Sequence, residues 1–592
     1  MSHQIKKHLG AIVRHNGVEF RVWAPFAKNV KLLTPYLGVF DGSNTYDMLS
    51  ENDGYWSVFV KDAEVGQNYK FLIDTGNELL TKNDPRGRAL TASDNGVSVV
   101  VGSDFDWGDD LFMPIPREQQ IIYELHIGTF NRRDPATTGT FYDAIEKLDY
   151  LLDLGINMIE VMPVTSMAYS NGWGYNVTDV FSIENAYGGR HGLMEFVKAC
   201  HARGIGVIID VVYNHFMSGD LWRFDGWYEN DRGGIYFYND WRGDTPWGAR
   251  PDYGRAEVRQ FLIDSIVMWF NEYRVDGLRL DSTAYMRNTL GYNDDPAHDV
   301  DGAWSLMQDI TDVAHRIRPG SIVIAEDTSG NDYITKQRQD GGCGFDAQWG
   351  IPFPHAIRKM LGLGTSWPVD LGEQLLRAYN GDVFQRVIFS DSHDTAANGS
   401  TRITSAISPE NPNSTRVRQD TIIASAITLT SPGIPMLLQG QEFLQEGAFT
   451  DWQVLEWEKT EQFAGIVKAH QDIIDLRKNT YGNTSGLLGQ SVRVFHRNDQ
   501  GQVFGYHRWS RGGPGDDVLV LINFGDTEYH EYHLGFPRPG EWRIRFNSSW
   551  QGYNSDFPEL TPDSVSTDDS CNLAMDIPAR SVLILSQDAT AS

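Results

Sequence analysis

EVRQFLIDSIVMWFNEYRVDGLRLD, residues 257–281, is one helix followed by one strand. Apolar residues at helical spacing run through 257–273, and a short apolar strand, VDGLRLD (275–281), ends in Arg279 and Asp281. Helix-then-strand units of this kind build parallel sheets, whose strands are buried on both faces and so read as apolar throughout. Side chains in a strand alternate faces, so Arg279 and Asp281 point the same way. A guanidinium beside a carboxylate favours its ionised form, which predicts an ionised Asp281. An ionised, held aspartate suits nucleophilic attack on carbon, and the same pair would serve equally as a structural ion pair at a strand end.

The unit repeats on both sides. Apolar strands are expected at 121–127 (IIYELHI), 156–164, 205–214, 321–327, 386–394 and 434–442. Helices are expected between them at 140–155, 192–204, 304–317 and 420–431. A glycine, Gly155, stands at the end of the first of these helices. About eight such units fit a closed (β/α)8 TIM barrel better than an open sheet. No GxGxxG or GxxxxGK[ST] follows any strand, which counts against nucleotide binding. Short β-rich runs separated by Gly, Asn and Asp precede the barrel (18–25, 30–33, 55–60, 69–74) and follow it (492–497, 503–509, 518–524, 581–586). The expected organisation is α/β: an N-terminal β-sandwich over 1–108, a barrel over 109–482 and a C-terminal β-sandwich over 483–592.

Composition narrows the partners. The chain has 592 residues, 41% hydrophobic, with a formal net charge of −29. That charge argues against nucleic acid or an anionic membrane as partner and is compatible with a neutral ligand. Seventeen tryptophans and 25 tyrosines suit uncharged sugars, although they serve cores equally well. Cys200, Cys343 and Cys571 lie far apart without metal-ligand spacing, so neither a disulfide framework nor a bound metal is expected. The opening MSHQIKKHLGAIV has no signal-type apolar region, and no run is long enough to span a bilayer. A cytoplasmic protein without cofactor is expected.

Polar residues cluster where the expected strands end. Asp210, Asn214 and His215 follow the third strand, and Arg279 and Asp281 the fourth. Glu326 and Asp327 follow the fifth, and His393 and Asp394 the seventh. The C-terminal strand ends are where barrel enzymes place their chemistry. Two carboxyl groups with different roles are the minimum for cleaving a glycosidic bond. Asp281 is expected as nucleophile. Glu326, following the apolar SIVIA, is expected to have a raised pKa and to act as acid/base. Asp394 is expected to hold sugar hydroxyls and stabilise developing positive charge.

These endings resemble the four signature regions of the α-amylase superfamily, glycoside hydrolase family 13: DVVYNH (210–215), GLRLD (277–281), IAED (324–327) and SHD (392–394). NGWGYN (171–176) resembles the family's WGY element. The resemblance implies a retaining mechanism with a covalent glycosyl-enzyme formed on Asp281. It implies substrate contacts from His215, His393 and Tyr175, the last stacking on the sugar, with Arg279 holding the nucleophile and Asp210 supporting the site. Some family members hold calcium near the position of Asn214, but no full oxygen-ligand set is legible here.

Finer reading divides. IAEDTSG (324–330), FSDSHDTAANG (389–399) and PGIPMLLQGQEF (432–443) resemble 1,4-α-glucan branching enzymes. YELHIGTF (123–130), YGGRHGL (187–193) and TPWG (245–248) resemble maltooligosyltrehalose trehalohydrolases at least as closely. Ser282-Thr283 departs from the Ala-Val that commonly follows the nucleophile in both groups. The leading expectation is a branching-type transglycosylase acting on an α-glucan. The alternatives are an α-glucan hydrolase and a glucan-binding protein with an inactive barrel. The aromatic insertion 216–243 is expected to roof the cleft; a folded lid core is the plainer alternative, and the two are compatible.

Overall fold

In this computed structural model the described residues are 8–589, except 36–39, 41, 43, 94–95, 170–171, 218, 230–232, 292–294, 366 and 559–561. The first seven residues of the N-terminal stretch read above, and Asn171 of NGWGYN, lie outside them. So do residues 218 and 230–232 of the aromatic insertion.

Eight parallel strands close into a barrel. They are β1 (Ile122–Leu125), β2 (Met158–Val161), β3 (Gly206–Val211), β4 (Gly277–Leu280), β5 (Ile322–Ala325), β6 (Ala347–Trp349), β7 (Arg386–Phe389) and β8 (Ile434–Leu438). β1 pairs with β8 to complete the ring. Every barrel-strand residue is buried, because side chains fill the barrel on one face and helices cover the other. The outer ring includes Gly189–His201, Ala256–Asn271, Ala303–Ile317, Thr415–Thr430 and Ala464–Arg477.

Two local readings change. The stretch 140–155 is two helices, Phe141–Ile145 and Leu148–Leu154, rather than one. Thr140 and Asp143 form a reciprocal capping box at the first, and Lys147 (φ −105°, ψ 1°) breaks the run. Gly155, at φ 98°, closes the second in the left-handed conformation that glycine adopts without steric cost. β6 was not among the expected strands, and its three residues are too few to carry an alternation or a run.

Antiparallel β domains flank the barrel. Before it, one sheet holds Gly10–Arg14, Gly17–Trp23, Leu49–Ser50 and Tyr55–Lys61. A second is built on Asn29–Leu33 and Asn68–Asp74. The ion pairs Arg86–Asp264 (2.5 Å) and Arg88–Glu272 (2.9 Å) tie this domain to the barrel helix that precedes β4. After the barrel, a six-stranded sheet and the two-stranded pair Tyr529–Gly535/Asn572–Ile577 form the second domain. Arg580–Asp420 (3.0 Å) and the bond from Arg508 Nη1 to the Thr430 carbonyl (2.7 Å) dock it on the helix that precedes β8. No described helix is long and apolar enough to cross a membrane.

Candidate active site

The barrel ladder continues one residue past β4 and β5, and this sets the site. The Asp281 N–H donates to the Val211 carbonyl and the Glu326 N–H to the Leu280 carbonyl, both at 3.0 Å. Each carboxylate is therefore carried on a backbone as rigid as the strand beneath it. Strand register places Arg279 beside Asp210.

Arg279 is fully buried and is the hub. Nη1 donates to Asp210 Oδ2 at 2.6 Å and to Asp281 Oδ1 at 3.1 Å. Nη2 lies 2.9 Å from Glu326 Oε2, as an ion pair in which the N–H does not point along the contact. The guanidinium lies 4.4 Å from the Trp349 ring centroid on β6, a cation–π contact. One guanidinium thus touches carboxylates from β3, β4 and β5.

Asp281 takes a second donor, Asn214 Nδ2, at 2.5 Å from Oδ2. Burial nevertheless pushes its carboxyl up to about 6, outweighing the pull of Arg279. At neutral pH the carboxyl is still mostly ionised, but by a smaller margin than the arginine alone would give, because taking the carboxylate out of water offsets the pull of the pair. Burial raises Glu326 as well, to about 7, with Arg279 opposing and the charges of Asp281 and Asp394 adding. Glu326 Oε2 accepts the Ser282 N–H at 2.8 Å and faces Arg279. Among the described residues no donor binds Oε1, which leaves that oxygen to carry a proton.

The β7 side is built differently. His393 Nδ1 lies 2.6 Å from Glu124 Oε1, and the His393 N–H donates to Glu124 Oε2 at 2.9 Å. Burial lowers the imidazole pKa, but the carboxylates of Asp394 and Glu124 overcome it and push it up to about 10. Asp394 lies 3.5 Å from His393 Nε2 and its side chain is 42% exposed, against 13% for Asp281 and Glu326. Tyr175, on the loop between Thr165–Met167 and Val177–Ile183, stacks on the His393 ring (5.3 Å, 24°). Its hydroxyl donates to Asp210 Oδ2 at 2.7 Å and meets His393 Nε2 at 2.9 Å.

His215 turns both ring nitrogens to the protein: Nδ1 to Asn214 Oδ1 (2.6 Å) and Nε2 to the Tyr175 carbonyl (3.0 Å). Burial lowers its pKa to about 4. The Asn214 carboxamide is thus used at both ends, by His215 and by Asp281, and does not fit the calcium role considered for it. Asp210 is buried beneath Arg279 and Tyr175 rather than facing the cleft. All eight residues singled out from the sequence therefore fall at one end of the barrel.

Three further side chains belong here. Asn214 was noted at its strand end but not as a donor to Asp281. Trp349 lies on the unexpected strand. Glu124 is a lone carboxylate inside the apolar IIYELHI, and that anomaly was the available signal. It pairs in register with Glu160 on β2, another glutamate in an apolar run, whose carboxyl burial raises strongly. The 216–243 insertion folds mainly as a core against the N-terminal domain: Phe224, Ile235, Tyr236 and Phe237 are buried and Tyr236 meets Trp23. Trp247, just beyond it, is half-exposed with its ring 5.6 Å from that of His215.

The chain matches three family models: carbohydrate-binding module 48 (isoamylase N-terminal domain) over 8–87, the alpha amylase catalytic domain over 125–251, and the alpha amylase C-terminal all-beta domain over 494–588. The catalytic match takes in Tyr175, Asp210 and His215 and stops short of Asp281, Glu326 and Asp394. The malto-oligosyltrehalose trehalohydrolase of Saccharolobus solfataricus is 31% identical over 467 residues, 73% of this chain and 75% of that protein. The 1,4-alpha-glucan branching enzyme of Marinobacter nauticus is 28% identical over 579 residues, 92% of this chain and 90% of that one. In fold, the pullulanase of Paenibacillus barengoltzii, solved with maltohexaose and alpha-cyclodextrin, superposes with a TM-score of 0.77 at 20% identity, over 98% of this chain and 95% of that one. From its barrel, its flanking modules and these relatives, the chain belongs to the alpha-amylase family, glycoside hydrolase family 13.

Proposed function

We propose that this is a retaining α-glucan-active enzyme of the branching type, which cleaves an α-1,4 link and passes the fragment to a 6-hydroxyl. The single observation that carries the chemistry is the Arg279 fork, which touches both Asp281 and Glu326. One guanidinium holds both carboxyl groups at the same end of the barrel, and the retaining course is carried over from the family resemblance.

Asp281, the lower of the two pKa values, loses its proton first and attacks the anomeric carbon. Glu326 gives its proton to the departing glycosidic oxygen, the C–O bond breaks, and the glycosyl group is held on Asp281. Esterification removes the Asp281 charge, one of the contributions that raise Glu326. The Glu326 pKa therefore falls, so after giving up its proton it stays ionised and is available as the base. It takes the proton of the acceptor hydroxyl as that oxygen attacks the same carbon and frees Asp281. Asp394, beside the protonated His393, supplies negative charge to the oxocarbenium-like states.

Transfer rather than hydrolysis is supported by the resemblance around Glu326 and Asp394, and by the branching-enzyme match along 92% of the chain. Hydrolysis is the second reading, favoured by the 31% identity to a trehalohydrolase. Incubation with amylose separates them. Branching bleaches iodine colour while reducing ends stay level, and enzymatic debranching of the product then releases new short chains. Reducing ends that climb as colour fades would refute transfer, and free trehalose released from maltooligosyltrehalose would establish the second reading.

A further inference from the structure

We propose that Thr283, backed by the buried Arg287–Asp327 pair, is a positioning residue that holds Glu326 in its proton-donating pose. The inference rests on Glu326 being the general acid, as read above.

The turn after β4 is unusual. Ser282 is in the left-handed region at φ 43°, ψ 55°, which non-glycine residues rarely adopt. This conformation turns two successive N–H groups toward the β5 end. The Ser282 N–H donates to Glu326 Oε2 at 2.8 Å, and the Thr283 N–H to the Glu326 carbonyl at 2.9 Å. The Thr283 hydroxyl shares its one proton between that same carbonyl (2.9 Å) and Asp327 Oδ2 (3.2 Å). Arg287 grips Asp327 through Nε to Oδ2 (2.9 Å) and Nη2 to Oδ1 (3.0 Å), and the Ser329 hydroxyl adds a third donor at 2.5 Å.

The peptide on the far side of Glu326 is thereby fastened to the loop that carries the nucleophile. Thr283 is fully buried and Asp327 nearly so, so neither touches substrate. Their effect reaches the reaction only through Glu326, which enters the loop pinned by its own N–H to Leu280 and leaves it pinned through its carbonyl. With the backbone held on both sides, Oε2 stays on Ser282 and Arg279 and Oε1 is the oxygen presented to the leaving group. Two loops from adjacent strands thus move as one body, and the spacing of nucleophile and acid is set by a hydroxyl rather than by packing alone. Misplacement of a catalytic group by a fraction of an ångström to one ångström is felt directly in kcat.

The test compares a substrate that needs the acid with one that does not. Glucan cleavage needs a proton on the leaving oxygen, whereas fluoride departs from an α-maltosyl fluoride without one. Thr283→Val keeps the shape and removes the hydroxyl. The expected result is roughly a tenfold loss of kcat on amylose with KM within about twofold, little loss in the first burst of fluoride release, which precedes the step that uses Glu326 as base, and recovery in Thr283→Ser. Should Thr283→Val fail to fold, Thr283→Cys, similar in size with a weaker donor, takes the same two measurements. Unchanged amylose turnover, or a fluoride burst slowed as much as amylose cleavage, would overturn the proposal. Glu326→Gln keeps the two failures apart. It is expected to lose amylose turnover and keep attack on the fluoride, and if it still turned over amylose the acid assignment itself would fall.

Discussion

Two regions of the same barrel mouth hold acids in opposite ways. At the ends of β4 and β5, Asp281 and Glu326 are largely buried, share one arginine, and have carboxyls raised to about 6 and about 7. At the end of β7, Asp394 is 42% exposed and stands against a histidine that stays protonated to about 10. In the proposed mechanism the first region moves a proton and forms a bond, which requires rigid geometry and pKa values near the working pH. The second offers a carboxyl group on a side chain with room to meet sugar hydroxyls. Carboxyl groups meet two different environments because desolvation differs across one cleft.

The sharpest way to break this contrast is to remove each acid in turn. Asp281→Ala is expected to cost about 10⁴-fold or more in glucan turnover, since no bond can form without the nucleophile. An unchanged rate would end the site assignment. Asp394→Asn removes charge but no bond-forming atom, so a loss of about 10²–10³-fold in kcat is expected. Equal losses in the two variants, measured on the same glucan, would erase the proposed division of labour.

The pH profile tests the proton count. Below about pH 6 Asp281 becomes protonated, and above about pH 7 Glu326 loses its proton, so kcat/KM should trace a narrow bell between them. The limbs belong to the pair rather than to either residue alone. Each pH unit outside the bell should lower the rate about tenfold. Glu326→Gln, followed on an activated fluoride, should keep the acidic limb and lose the basic one. A plateau extending above pH 8 in the wild type would contradict the raised Glu326.

The smallest expected effect lies at Glu124. Glu124→Gln removes one of the two carboxylates that keep His393 charged, so the imidazole pKa should fall, visible as an upfield-limb shift in a histidine NMR titration. Glucan turnover should drop about three- to tenfold, with the loss growing as pH rises, because the neutral ring becomes more populated there. A histidine that titrates as in the wild type would show that Asp394 alone holds the charge.

Much of this was legible in the chain itself. VDGLRLD and SIVIAED each read as an apolar run ending in charge, and a parallel strand buried on both faces meets the cleft at its end. Glu124 was less legible, because a single acid inside IIYELHI has no periodicity to mark it and its partner His393 lies 269 residues away. β6 was not legible at all: AQW is a strand only because β5 and β7 stand ready on either side to pair with it. The unbroken helix expected over 140–155 failed for a local reason, since the capping box at Thr140 starts a short first helix and Lys147 restarts the chain.

Local pattern therefore determined the barrel, the β domains around it and the strand ends where the acids sit, because alternation and apolar runs are properties of neighbouring residues. Tertiary structure alone decided which donors each acid meets, that Arg279 bridges Asp210, Asp281 and Glu326, and that burial outweighs the arginine at Asp281. Desolvation and charge are summed over everything packed around a group, and most of what surrounds Asp281 comes from strands and loops dozens to hundreds of residues distant.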